Sequence, residues 1–271
     1  MQLTQEQIDF YHKQGYLFLP NCFTQAEIDL MKSQLPTVFA EDTPARVLEE
    51  GTDVVRMIHG SHKTNDIFGQ LVRDARILQP AMQLLDDDIY VHQFKINAKA
   101  AFAGDIWAWH QDFIFWHKED GMPTPRTLNA GVFLDDVTEF NGPLVMIPQT
   151  QNIGMYDDNA KDTGLTEDDP EWKSHLTVDL KYSLTQETLA EYTNRYGMVA
   201  PKGAAGSVLL FAPSIFHGSA PNISPFDRNL ALVSYNSVEN QLQEVENPRP
   251  WFLAERDFTP LVPDEAPITA R

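Results

Sequence analysis

Ile89-Tyr90-Val91-His92-Gln93-Phe94-Lys95-Ile96 is where this chain changes texture. β-Branched and aromatic side chains crowd the run, as they do on a pleated and partly buried surface. Four further runs of the same kind follow: Leu128 to Leu134, Leu144 to Ile147, Ser207 to Phe211 and Asn229 to Tyr235. Turn-forming stretches separate them, among them Asn141-Gly142-Pro143 and Lys202-Gly203-Ala204-Ala205-Gly206. Several short strands after a helical start predict an antiparallel sandwich or barrel with helices packed outside.

The helical start is read from its caps. Thr4 with Gln7 and Thr24 with Glu27 have capping-box spacing, in which a hydroxyl and a side chain three residues on satisfy free backbone donors. Ile28, Met31, Leu35 and Val38 then recur at helical spacing, and Pro36 predicts a bend or an end near that point. A third helical stretch runs from about Asn65 to Leu85, with Pro80 expected to divide it in two. Residues 154–196 are acidic, carry a helix-like piece around Glu187 to Tyr196, and read as a lid or surface excursion. No repeat or linker divides the chain. Residues 1–271 therefore read as a single domain, with 1–88 mainly helical support and 89–240 the β core.

Lys and Arg number 20 against 39 Asp and Glu among 271 residues, a net charge of −19. Such a surface repels phosphate backbones and anionic membranes, so neither nucleic acid nor membrane is an expected partner. The one cysteine, Cys22, excludes an internal disulfide and a Cys-based zinc cluster. No apolar run approaches the roughly 18 residues of a membrane span, and the start MQLTQEQIDF does not read as a secretory signal. The expected setting is the cytoplasm.

His110-Gln111-Asp112 is the informative histidine site. On an extended strand, side chains two apart share a face, so His110 and Asp112 can offer a nitrogen and a carboxylate oxygen to one metal. An H-x-D tripeptide alone is common, and a lone histidine such as His217 is more often a hydrogen-bonded core or surface residue. His217 nonetheless follows the strand-like run ending at Phe211, and Arg228 lies eleven residues beyond it. Two histidines and one carboxylate leave three metal positions open, as in non-haem Fe(II) oxygenases. Arg228 has the planar fork that a dicarboxylate co-substrate requires.

The stretches VHQFKINAKAAFAGDIWAWHQDFIFWHKEDGMPTPR (91–126), FNGPLVMIP (140–148) and FHGSAPNISPFDRNLALVSYNSVEN (216–240) resemble the phytanoyl-CoA dioxygenase superfamily, and within it the ectoine hydroxylases. The resemblance covers about residues 53 to 240. It implies a double-stranded β-helix (jelly-roll) core, the cofactors Fe(II), 2-oxoglutarate and O2, and hydroxylation of a small molecule with release of succinate and CO2. It also implies His110, Asp112 and His217 as iron ligands; Arg228, Asn97, Ser219 and Trp107 around 2-oxoglutarate; and Gln93, Lys95, Trp116 and Arg126 at the substrate. Trp116 alone would read as core, Arg126 as a solvated loop charge, and Asn97 and Ser219 as groups that satisfy backbone.

The chain departs from the ectoine hydroxylases where they usually have IPGSH, having Gln149-Thr150-Gln151 after Ile147-Pro148, and it has Lys95 for an arginine and Leu230 for an asparagine. These changes remove a planar fork and a polar contact, so they point to a related small polar or zwitterionic compound as readily as to ectoine. Asp112 stands where halogenating relatives carry a small residue, which favours hydroxylation. Desaturation, epoxidation or cyclisation would use the same cofactors, whereas a non-catalytic binding jelly roll would show a damaged ligand set, and none is visible. A cupin-type isomerase or storage protein would cluster more histidines. Trp107, Trp109, Phe113, Phe115 and Trp116 would wall a dry pocket or fill a sandwich core. Because the co-substrate is a dianion, Arg228, Lys95, Lys99 and Arg126 are expected to make a positive pocket inside an acidic protein, acting as a monomer or homodimer.

Overall fold

The computed structural model describes residues 1–156, 172, 176 and 180–270. Its first part runs α1 (Gln5–Gln14), β1 (Tyr16–Leu19), α2 (Gln25–Phe39), β2 (Arg46–Leu48), β3 (Val55–His59), α3 (Ser61–Thr64), α4 (Asp66–Leu71) and α5 (Ala75–Leu85). The rest runs β4 (Ile89–Lys99), β5 (Trp107–His110), α6 (Asp112–Asp120), β6 (Thr127–Phe133), β7 (Leu144–Ile147), α7 (Gln186–Tyr196), β8 (Val208–Phe211), β9 (Phe216–Ser219) and β10 (Arg228–Ser237). Seven strands form one sheet in the order β1-β8-β6-β10-β4-β3-β2, and β5-β9-β7 form a second. All the strand pairings are antiparallel. This is the jelly-roll core, closed by helices on its outer side.

Register decides which side chains reach the interior. In β4 and β10, Gln93 pairs with Ser234, Lys95 with Leu232, Asn97 with Leu230 and Lys99 with Arg228. Across β10, Ser234 pairs with Asn129, Leu232 with Gly131 and Leu230 with Phe133 of β6. With a side-chain period of two, these residues share the inner face. There Leu230, Leu232, Phe133, Leu209 and Phe211 pack with Leu144 and Met146 of β7. The intervening residues Ile96, Ala231, Val233, Val132 and Leu210 bury the outer face under α2, α4 and α5, through Ile28, Met31, Phe68, Leu71, Ile77 and Leu78.

Both predicted capping boxes form, at Thr4 with Gln7 and at Thr24 with Glu27. α2 ends within one turn of Pro36, as expected, and Pro80 departs from expectation. α2 runs through Pro36 to Phe39, and Ala40 N–H still reaches Pro36 O at 3.2 Å, because buried Leu35 and Val38 hold the last turn in the core. Pro80 likewise lies inside α5, among buried Ile77, Leu78, Ala81 and Leu84. The division of the Asn65–Leu85 stretch falls at Val72–Asp74 instead, where the Asp74 carboxylate caps α5 by accepting from Arg76 N at 2.9 Å. The segment 1–88 supplies β1, β2 and β3 to the large sheet as well as helices. Of the expected excursion at 154–196, α7 is present, and residues 157–171, 173–175 and 177–179 lie outside the described residues. No helix among the described residues is long and apolar enough to cross a membrane.

Candidate active site

β5 and β9 pair so that His110 lies opposite His217 and Trp107 opposite Ser219, with an irregularity between the two pairs. The imidazole centroids are 4.2 Å apart. β5 stops at His110, and Asp112 opens α6, so the carboxylate sits on a helix N-terminus and not on the strand the sequence suggested. Gln111 between them is extended (φ −118°, ψ 134°), which preserves the two-residue relationship that brings His110 and Asp112 together. The Gln111 amide is used structurally, donating to Ser214 O at 2.8 Å and Gly154 O at 2.9 Å.

His110 Nε2 lies 3.6 Å from Asp112 Oδ1, and His217 Nε2 lies 3.7 Å from Asp112 Oδ2. One donor atom from each residue falls within 4.8 Å of the others. Nδ1 of His110 lies 2.7 Å from Ala108 O and Nδ1 of His217 lies 2.9 Å from Ile215 O, so each Nδ1–H donates to backbone. That tautomer leaves each Nε2 unprotonated, so that it and the carboxylate can offer lone pairs to one shared metal. Burial and the neighbouring His110 push the His217 imidazolium down to about 4, so the ring is neutral and able to ligate. Burial opposes charge on Asp112, but Lys95, His217 and His110 together hold its carboxyl far below the usual carboxylate range. Asn129 of β6 donates to Asp112 Oδ2 at 2.7 Å, and Ser234 of β10 donates to Asn129 Oδ1 at 2.6 Å. The donor set and its supporting hydrogen bonds fit a two-histidine, one-carboxylate metal centre with open positions.

The residues expected around 2-oxoglutarate leave buried polar atoms unmet. Arg228 is 3 % exposed, and its Nη2 donates to Gly142 O at 2.9 Å while its Nε has no partner among the described residues. Burial lowers its guanidinium to about 10. Asn97 Oδ1 and Ser219 Oγ are also buried without a partner. Each such group costs roughly 1–3 kcal/mol when nothing meets it, a cost that a polar ligand reaching them would recover. The Trp107 ring is covered by the Arg56 guanidinium, whose carbon lies 3.8 Å from its centroid, and Arg56 is paired with Glu49 at 2.7 Å.

Of the four substrate candidates, Gln93 and Lys95 lie on the inner face of β4. Gln93 donates to Leu253 O at 2.8 Å. Lys95 is half-buried, its ammonium is pushed down by burial, and the Asp112 carboxylate acts against that push. Trp116 is buried on α6 and meets the His92 ring edge-on at 5.0 Å. Arg126 is not brought to this group. Its Nη2 donates to Leu85 O at 3.2 Å and Asp86 O at 3.1 Å, and its Nη1 lies 3.3 Å from Asp87. It holds the carbonyls that end α5, a common use of a cation at a helix C-terminus. The aromatic run Phe113–Trp116 is helical and packs with Met122, Leu180, Tyr182 and Leu242.

Two groups escaped the sequence reading. Asn129 is an amide at an inward position in the middle of a strand that is apolar from Ala130 on, and that misfit was its signal. Asp120, Arg249 and His92 form a buried cluster beneath Trp116, with Arg249 forked onto Asp120 at 2.7 and 2.6 Å. Arg249 comes from 129 residues away, and no local pattern announces it.

A jelly roll with two histidines facing each other on its small sheet and the carboxylate of a His-x-Asp at the start of the next helix defines a non-haem metal-dependent oxygenase scaffold. The chain belongs to the phytanoyl-CoA dioxygenase (PhyH) family, whose profile matches residues 11–230. It is 39% identical over 256 residues to an L-proline trans-4-hydroxylase of Streptomyces griseoviridis, covering 94% of each chain. It is 37% identical over 257 residues to an ectoine dioxygenase of Sphingopyxis alaskensis, covering 91% of this chain and 81% of that one. The crystal structure of EctD from S. alaskensis with 2-oxoglutarate and 5-hydroxyectoine superposes with a TM-score of 0.84 at 34% identity, covering 98% of this chain and 89% of that chain. The protein is a non-haem dioxygenase that uses Fe(II), 2-oxoglutarate and O2.

Proposed function

We propose that this enzyme hydroxylates an unactivated C–H bond of a small zwitterionic metabolite, an amino acid or ectoine-like ring compound, and releases succinate and CO2. The observation that carries this reading is Lys95, a half-buried ammonium on the inner face that feels the Asp112 carboxylate and has no hydrogen bond or ion pair with another described residue. A cation so placed needs an anionic group on the ligand. Its register partner Leu232 and the nearby Leu230 are apolar and buried, so the remainder of the ligand next to them is hydrocarbon. A cyclic amino acid such as L-proline combines those features, and a proline hydroxylase is among the relatives that this chain matches along nearly its whole length.

His110, Asp112 and His217 would hold Fe(II), and the bound metal with 2-oxoglutarate supplies the chemistry that places one atom of O2 in the product and the other in succinate. Arg228 grips the far carboxylate of 2-oxoglutarate with its fork, while Asn97 and Ser219 meet the rest of that molecule beside Trp107. Lys95 anchors the substrate carboxylate, Gln93 supplies the amide edge, and Trp116 closes the apolar side. Phe113 and Phe115 keep the site dry, which strengthens each of these charged contacts. We take residues 1–271 as one catalytic domain acting in the cytoplasm as a monomer or homodimer, a reading supported by the single cysteine and by a sheet that draws strands from 1–88 and from 89–240.

The test supplies Fe(II), 2-oxoglutarate and O2 with L-proline, other cyclic and acyclic amino acids, betaines and ectoine in turn, and reads succinate together with product mass. A small zwitterion should raise succinate above the substrate-free rate and gain one oxygen atom. Loss of two hydrogens instead would establish desaturation, and stimulation by none of these compounds would refute the substrate class. Asp112→Ala should abolish succinate formation. Coupled turnover surviving in that variant would refute the ligand set.

A further inference from the structure

Phe102, Phe140, Ile223 and Phe226 are 61–71 % exposed, and among the described residues Val262 is the one other large hydrophobic side chain that shows as much of itself to solvent. The four come from three loops: residues 100–106 between β4 and β5, 134–143 between β6 and β7, and 220–227 between β9 and β10. Backbone hydrogen bonds lay these loops side by side. Phe102 N donates to Ser224 O at 3.1 Å, Asn222 N to Gly104 O at 2.8 Å and Ile223 N to Phe140 O at 3.2 Å. The buried Asn222 side chain pins the third loop, accepting from Ser224 N at 2.9 Å and donating to Phe226 O at 2.7 Å and Lys99 O at 2.9 Å. Hydrogen-bonded backbone therefore holds the apolar side chains out. Phe102 adds a second sign, because its φ of +57° is left-handed, a region that a bulky side chain enters only at a cost. Its ring is 71 % exposed and gains no burial in return. Strain that turns an aromatic ring to solvent fits a surface that something else covers.

The charges narrow the choice of occupant. The three loops contain no lysine or arginine, so an anionic membrane, a nucleic acid or an acidic protein finds no cation on them. Their exposed acids are each engaged within the chain. Asp227 accepts from Ala101 N at 2.8 Å, Asp105 from Ile106 N at 2.6 Å and Asp136 from Ala205 N at 2.8 Å, and Glu139 is paired with Lys202. What is left without a partner is hydrocarbon. The four large side chains expose roughly 500 Å² of it. Exposed Ala103, Ile106, Pro221 and Pro225 extend the surface toward the about 800 Å² that each partner covers in a standard interface. A face of this composition is complementary to itself, and a two-fold axis through it closes the assembly at two copies.

We infer that these three loops form a homodimer interface, in which the patch of Phe102, Phe140, Ile223 and Phe226 packs on the same patch of a second copy about a two-fold axis. The inference narrows the monomer-or-homodimer reading to the dimer and does not depend on which substrate the enzyme takes. Two copies that each carry a charge of −19 repel one another, so apolar contact must hold the pair and added salt tightens it by screening the repulsion.

Analytical ultracentrifugation of the full chain tests it, since mass is read independently of turnover and of the substrate class. At micromolar concentration the expected mass is twice 30.7 kDa, and the dimer Kd should fall as NaCl is raised from about 0.05 to 0.5 M. Phe102→Asn combined with Phe226→Ser should weaken the dimer by about 100-fold or more, because aromatic anchors carry most of such an interface. Asn also tolerates the left-handed backbone at that position, so the fold is kept. Substrate-free succinate formation at the wild-type rate confirms that the double variant is folded. If it is not, Phe140→Ser replaces it and should weaken the dimer by about tenfold. Val262→Ser, at an equally exposed residue outside the three loops, should leave the dimer intact. Wild-type protein that stays monomeric at about 100 μM overturns the proposal. So does a dimer that survives the loop substitutions, one that loosens as salt is added, or wild-type protein that sediments with phosphatidylcholine–phosphatidylglycerol vesicles.

Discussion

Asn129 donates from the middle of β6 to Oδ2 of Asp112 at 2.7 Å, so the large sheet holds the carboxylate that the two histidines of the small sheet flank. The amide is fixed in turn by Ser234, whose hydroxyl donates to its Oδ1 at 2.6 Å. Asp112 sits at a helix start with one oxygen aimed at each imidazole, and without Asn129 its carboxylate is free to rotate. Outer partners of this kind typically change metal affinity by about 10–100-fold. Asn129→Ala should weaken Fe(II) binding by that factor, read in an anaerobic metal titration. Unchanged affinity would show that the α6 backbone alone fixes Asp112.

Lys95, proposed as the anchor of the substrate carboxylate, makes a separate prediction. Lys95→Met keeps an unbranched stem opposite Leu232 in register and removes the charge. Losing a charged hydrogen bond of about 1.5–3 kcal/mol should raise the substrate KM roughly 10–100-fold. Substrate-free conversion of 2-oxoglutarate to succinate should persist near the wild-type rate. An equal fall in that uncoupled rate would mean that Lys95 works through the Asp112 carboxylate instead.

What the sequence made legible followed local rules. The capping boxes at Thr4 and Thr24 and the runs that became β4, β6, β7, β8 and β10 are written in spacing and side-chain type within a few residues. β1, β2, β3 and β9 are short, from three to five residues, and their identity comes from pairing with distant partners. Pro80 misled because tertiary packing outweighed a lost hydrogen bond: it sits in a turn whose apolar neighbours are buried, whereas α2 does end within one turn of Pro36. At the site, His110 and Asp112 were legible from their two-residue offset even though Asp112 proved helical. His217 and Arg228 were picked out by residue type and by their place after a strand-like run, whereas Asn97 and Ser219 rested on family resemblance, since nothing local says that β4, β9 and β10 meet. Arg126 resembled a pocket residue in sequence, yet the end of α5 claims it.

Stability should carry a pH signature far from the metal. Arg76 forks onto Glu27 at 2.7 and 3.0 Å and onto Asp74 at 2.6 and 2.8 Å, joining the caps of α2 and α5. The Arg76 hydrogen bonds hold the Glu27 carboxyl down to about 2. A depressed carboxyl contributes stability that is complete above its unfolded value of about 4.3 and declines as pH falls toward about 2. Glu27→Gln should therefore cost about 1–3 kcal/mol in urea unfolding at neutral pH. The difference from wild type should stay constant down to about pH 4.5 and shrink below it. A difference that does not change between pH 7 and pH 3 would mean that the carboxylate charge contributes nothing.

Arg126 offers the sharpest contrast between what resemblance suggests and what the chain does with the residue. Its guanidinium meets the carbonyls of Leu85 and Asp86 and the carboxylate of Asp87, where α5 ends on a left-handed Asp86 (φ 50°). Those carbonyls have no helical donor of their own, and a cation there also opposes the negative end of the helix dipole. The side chain is 40% exposed, so its contribution is modest, on the order of 1 kcal/mol. Arg126→Ala should lower the melting temperature by a few degrees, as a loss of that size does in a domain of this length. Its substrate KM should stay within about twofold of wild type, in contrast to the rise expected for Lys95→Met. A tenfold rise in KM without loss of stability would return Arg126 to the substrate pocket and remove it from α5.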